Sequence, residues 1–165
     1  MGATKNMVRG TIFTIIYIVT TLVIPFMTFT WIKNLGSVEG TDIALAMDNA
    51  RYNQIIFWVS AFGLIISGCA FFAYSAPSQS VRRGVFALIQ IILNCLYIWS
   101  YKFSGATEIE FLLTVGSNEG AIAIDFSQMV MLYLGIYFLT IILKSYDLVD
   151  FIVNRKKIRE RRIGE

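Results

Sequence analysis

Four long, predominantly apolar runs dominate the sequence. A helix crosses a membrane with about 20 mostly apolar residues, because the hydrocarbon layer is about 30 Å thick and each residue rises about 1.5 Å. The runs therefore predict four membrane-spanning helices in a single domain that covers residues 1–165. They lie at about 11–32, 55–76, 84–103 and 126–149. The expected fold is an all-α membrane protein, an up-down bundle of four helices.

The composition agrees with this class. Apolar residues make up 56% of the 165 residues and charged residues 15%, against about 45–50% and about 25% in soluble domains. Too few charged side chains remain to cover a globule in water, so we expect a multi-pass protein of the cell membrane. No signal-peptidase pattern follows the first run, which predicts that it is retained as a signal anchor.

The flanking charges predict the orientation. Lys and Arg are enriched in cytoplasmic flanks, and eleven of the fourteen basic residues flank the chain ends and the central turn near residue 80. Both termini and this turn are therefore predicted to be cytoplasmic. The outer loops, 33–54 and 104–125, hold seven of the eleven acidic residues.

Alternating apolar residues in the second outer loop predict a small β-hairpin. They stand on both sides of a Gly-bounded turn at 116–120, which is the usual hairpin pattern. The motif Gly-Ser-x-Glu-Gly occurs there and at 36–40, either as a trace of duplication or by chance. Residues 43–47 follow a helix-capping Thr-Asp pair and are expected to begin a helical extension of the second span.

Each span carries a less apolar face. Two interpretations are open: the polar side chains bond across helices inside the bundle, or they line a water-filled path. The candidate residues for this face are Thr14, Thr21, Gln90, Asn94, Tyr133 and Tyr137. A track of small residues in the second span predicts close helix packing; it consists of Ser60, Gly63, Ser67 and Ala70. Pro25 is expected to kink the first helix.

The C-terminal tail, 150–165, is strongly basic. Its cations predict attraction to anionic lipid headgroups, with docking of an acidic protein as the alternative, and no nucleic-acid binding. They are Arg155, Lys156, Lys157, Arg159, Arg161 and Arg162.

Catalytic chemistry is not expected. The chain has no His, which removes the commonest general base and metal ligand. Cys69 and Cys95 lie within predicted spans as buried thiols, and no motif indicates a metal or cofactor. We therefore predict a non-enzymatic protein that self-assembles as an oligomeric channel or pore subunit. The alternative is an accessory or anchoring subunit of a larger hetero-oligomeric membrane complex. No charged residue lies near mid-membrane, which argues against an ion pump or proton-coupled carrier.

Overall fold

The computed structural model describes residues 2–35, 43–45, 49–77, 80–115 and 118–154. Within these ranges four helices are long and apolar enough to cross a membrane, so this part of the prediction is confirmed. The first span is one long helix made of α1 (Gly2–Ile18), a π-helical turn (Val19–Val23) and α2 (Ile24–Leu35). The second, third and fourth spans are α3 (Asn49–Ser75), α4 (Val81–Phe103) and α5 (Ser127–Val153).

The helices pack in chain order. The first span packs on α3, α3 on α4, and α4 on α5. No comparable packing joins the first span to α5 among the described residues, so the expected bundle is open along this side. We call this gap the 1–4 opening. The end of the molecule that carries Pro77 and Ser80 is called the turn end below, and the opposite end the sheet end.

Local signals fix the ends of α4. The Ser80 hydroxyl caps its first turn by accepting a hydrogen bond from the Arg83 backbone N–H at 3.2 Å. Beyond its last turn Gly105 adopts a φ of 74°, the left-handed conformation that commonly ends helices at glycine. The Arg51 side chain lies over this glycine. The chain therefore leaves the third span in a defined direction toward the sheet.

A three-stranded antiparallel sheet of order β1-β2-β3 lies at the sheet end. The predicted hairpin is confirmed as β2 (Glu108–Val115) and β3 (Asn118–Asp125), with Phe111 opposite Ile122. After the hairpin, hydrogen bonds from Ser127 lower the pKa of the exposed Asp125 carboxyl. The resulting carboxylate accepts the Ser127 backbone N–H at 2.7 Å and stabilises the start of α5.

The prediction of a helix that begins at residue 43 is wrong for residues 43–45, and residues 46–47 lie outside the described residues. Ile43–Leu45 instead forms β1, which pairs with β2 so that Ile43 stands opposite Leu113. The backbone groups on this edge of β2 have no partner within the hairpin, and pairing with β1 satisfies them, which outweighs local helix propensity. Among the described residues the second span begins at Asn49, six residues before its predicted start.

The buried core is small and lies where the first three spans meet. It contains Ile55, Val59, Ile66 and Tyr97, with Ala106 at the sheet end. Large apolar side chains elsewhere are widely exposed, and in α5 only Val130 and Leu134 are buried. Such an apolar surface is typical of helices surrounded by lipid.

Two predicted features lie outside the described residues. These are the basic tail segment 155–162 and the first copy of the repeated motif, at 36–40. The turn between β2 and β3 falls in the same category at residues 116 and 117.

Candidate functional site

Pro25 creates an unusual junction in the middle of the first span. Proline has no backbone N–H, so the Thr21 carbonyl four residues earlier loses its helical hydrogen bond. The helix widens into a π turn at this point. The Tyr97 hydroxyl of α4 donates a hydrogen bond to the Thr21 carbonyl at 2.9 Å, and the Tyr101 hydroxyl donates to Tyr97 at 2.6 Å. A carbonyl that lipid would leave unpaired thus binds the third span.

The small-residue track of the second span lies against this junction. A Cβ atom added to Gly63 would stand 3.1 Å from the Thr21 carbonyl oxygen and 3.2 Å from the Leu22 Cβ. Ser67 and Ala70 are buried on the same face, whereas Ser60 is half-buried. Glycine at position 63 therefore allows the first and second spans to approach closely at the π turn.

Both threonine hydroxyls of the predicted polar face bond within their own helix. Thr14 donates to the Gly10 carbonyl at 2.8 Å and Thr21 to the Tyr17 carbonyl at 2.7 Å. Ser67 bonds in the same way to the Gly63 carbonyl. These side chains need no water or partner helix, because the carbonyl one turn earlier already accepts their hydrogen.

A polar cavity of about 400 Å³ lies in the 1–4 opening and reaches the turn end. Its deep part is lined by Tyr17, Gln90 and Asn94. Gln90 is only 5% exposed. Counted from the start of α4, Gln90 and Asn94 lie about 14 and about 20 Å along the helix. These distances compare with about 15 Å for half of a hydrocarbon layer that is about 30 Å thick.

Charged side chains line the mouth of this cavity. They are Arg83, Lys144 and Asp147. The Lys144 ammonium and the Asp147 carboxylate form an ion pair at 3.3 Å. The Arg83 guanidinium lies 5.9 Å from the centre of the Tyr74 ring, which stacks on Phe13. The three charges leave one positive charge in excess at the mouth.

The neighbouring Arg82 points elsewhere. Its guanidinium lies 5.5 Å from the Phe72 ring and 5.8 Å from the Phe86 ring, and it does not line the cavity. Adjacent residues of a helix point about 100° apart, which explains the difference. Two arginines of equal charge thus stand next to each other in the chain, and one of them faces the cavity.

A second cavity of about 420 Å³ lies in the 1–4 opening near the sheet end. It is mostly apolar, and its lining includes Pro25, Tyr101, Ile109 and Val130. Along both the first span and α4, the hydrogen-bonded pair Thr21–Tyr97 lies between the residues that line the two cavities. The junction therefore separates a polar compartment from an apolar one.

The structure brings some of the predicted polar residues together and separates others. Gln90 and Asn94 line the polar cavity, and Tyr137 lies near Tyr17 and Cys95. Tyr133 is 49% exposed on the outer surface of α5. Thr14 and Thr21 do not line the cavity.

Sequence reasoning used Arg83 only for topology and missed its place at the cavity mouth. The signal was present, because Arg83, Ala87, Gln90 and Asn94 are spaced by four, three and four residues, which places them on one helix face. Tyr97 continues the same series of residues along α4, but its partner is a backbone carbonyl. A pattern of side chains does not reveal such a partner.

Four apolar helices with a polar cavity between them are features of a multi-pass membrane protein. No group of metal-binding side chains is found within the described ranges. The chain matches no protein-family model, and no curated protein and no solved structure is significantly similar to it.

Proposed function

We propose that the protein is a non-enzymatic, self-assembling channel or pore subunit of the cell membrane, and that the polar cavity is the cytoplasmic half of its path. One observation carries the proposal: the cavity runs from a charged mouth to Gln90 and Asn94, about 14 and about 20 Å along α4, and we place these two residues near mid-membrane. Acyl chains offer no hydrogen bonds to these amides. The Gln90 side chain hydrogen-bonds the Tyr17 hydroxyl, and water entering from the mouth is the natural partner of Asn94.

The orientation in this proposal rests on the distribution of charge. Arg9, Arg82, Arg83 and Lys144 all lie near the turn end, and cytoplasmic flanks are enriched in such residues. The turn end then faces the cytoplasm and the sheet faces outward. The basic residues also provide contacts for anionic lipid headgroups.

Two surfaces that lack a packing partner among the described residues support self-assembly. The 1–4 opening leaves the cavity without a wall between the first span and α5. The β3 edge carries no further strand among the described residues, and Ile122 and Ile124 are 52% and 41% exposed. A second copy of the chain supplies both a helix for the opening and a strand edge for the sheet.

The direct test is ion flux through proteoliposomes that contain the purified protein. We expect the wild type to conduct and the double variant Gln90→Leu/Asn94→Leu to lose most of its flux, because apolar side chains there dewet the cavity. The matched control is Thr20→Leu, since Thr20 is exposed in the same membrane layer and bonds to the Ile16 carbonyl. The control is expected to conduct like the wild type.

Two results would overturn the proposal. The first is absence of conductance in intact wild-type oligomers, and the second is unchanged flux in the double variant. The alternative, a non-conducting accessory subunit, is favoured by α5, whose side chains are exposed on nearly all sides and are free to contact unlike helices. Purification with unlike chains and without conductance would support it.

A further inference from the structure

We infer that the polar cavity selects small anions over cations, and that Arg83 sets this preference. The inference rests on the proposed function, since it names the class of solute that the same path accepts. In this inference Arg83 acts through its charge: it determines which ions pass, whereas the path itself can conduct without it.

The first step of the argument is the balance of charge at the mouth. Asp147 is the only carboxylate among the described residues that line the cavity, and it is paired with Lys144 at 3.3 Å. Arg83 remains as a cation, and its guanidinium lies over the face of the Tyr74 ring. A solute that enters between these groups meets a net positive potential, which attracts anions and repels cations.

The second step is the helix on which Arg83 lies. The α4 helix begins at Val81, and Ser80 and Arg83 both line the cavity. The N-terminal end of a helix carries about half a positive charge from its aligned peptide dipoles. The mouth therefore combines the end of a 23-residue helix with a full side-chain charge of the same sign.

The third step is the chemistry of the deep part. Its polar groups are the amides of Gln90 and Asn94 and the hydroxyl of Tyr17, all of which have N–H or O–H donors. No carboxylate lies at this depth, because the four spans are free of acidic residues there. Because the two amides and the hydroxyl also present oxygen acceptors, the deep part can solvate an ion of either sign, and the positive mouth decides which ion enters.

The experiment measures the reversal potential of the reconstituted protein in a planar bilayer with a potassium chloride gradient. The wild type is expected to be more permeable to chloride than to potassium. Arg83→Gln should lower the chloride-to-potassium ratio about threefold, which is the effect of one charge several ångströms from the path in a well-hydrated mouth. Arg83→Glu should lower it further, and Arg83→Lys should keep it.

Arg82→Gln is the matched control. It removes the same charge from the neighbouring residue, whose side chain does not line the cavity. Its ratio should equal that of the wild type. Asp147→Asn should raise the chloride-to-potassium ratio, the opposite of Arg83→Gln. It removes the negative charge that is paired with the Lys144 ammonium and so makes the mouth more positive. A simple loss of structure does not produce changes of opposite sign.

The outcomes separate the inference from the proposed function. Conducting wild-type protein that prefers potassium, or equal ratios in the Arg82 and Arg83 variants, overturns the inference and leaves the channel in place. Absence of current in the wild type and in every variant overturns the channel, and the inference with it.

Discussion

At the scale of single residues, the fold depends on one carbonyl that its own helix does not satisfy. Pro25 releases the Thr21 carbonyl, and Tyr97 binds it from the third span. Where the sequence predicts a kink from Pro25, the structure has a π turn at Val19–Val23. Proline is visible in a sequence, but the residue that compensates for it lies 72 positions away and only the packed structure reveals it.

Tyr97→Phe tests this contact. The variant keeps the ring in the core but removes two hydrogen bonds, the one to the Thr21 carbonyl and the one from the Tyr101 hydroxyl. It should therefore lower the free energy of unfolding by about 1–2 kcal/mol, since a hydrogen bond in a membrane protein contributes about 1 kcal/mol. Denaturant titration in mixed micelles measures the change. Tyr133→Phe removes a hydroxyl from an exposed ring and should have no effect. Equal stability of the two variants would show that the Thr21 carbonyl does not depend on Tyr97.

At the scale of elements, sequence reasoning located the helices and the hairpin but not β1. Runs of apolar residues identify a membrane span without knowledge of its neighbours, and alternation identifies β2 and β3 in the same way. Ile43–Leu45 is too short to carry either signal, and it becomes a strand because β2 offers an unpaired edge. Short segments thus take their conformation from the element beside them.

The contact between the first and second spans gives a prediction at this scale. Gly63→Val should force the two helices apart, since even a Cβ would lie 3.1 Å from the Thr21 carbonyl oxygen. We expect a loss of about 1–3 kcal/mol in the free energy of unfolding, the usual cost of overpacking. Gly68→Val is the control in the same helix, because a Cβ at Gly68 meets nothing within 4 Å. A loss of similar size in both variants would mean that the cost arises from helix propensity and not from packing.

At the scale of the whole molecule, the decisive feature is that the bundle does not close. The sequence predicts four helices and their alternating direction, but the side on which the first span and α5 stay apart follows from packing of all four. This opening places Gln90 and Asn94 in a cavity with a charged mouth and not in a closed interior. Of the two interpretations of the polar face, the proposed path therefore rests on these two amides and not on the threonines.

The central claim is that water fills this cavity to mid-membrane, and the reactivity of a cysteine at position 94 tests it most directly. In a Cys69→Ala/Cys95→Ala background, Asn94→Cys is treated with a charged, membrane-impermeant thiosulfonate from the cytoplasmic face. Leu96→Cys is the control at the same depth, on a side chain that is 48% exposed toward lipid. Only a hydrated thiol ionises and reacts, so the cysteine at 94 should react at least about tenfold faster than that at 96. Equally slow reaction at both positions, or faster reaction at 94 from the outer face, would contradict the account.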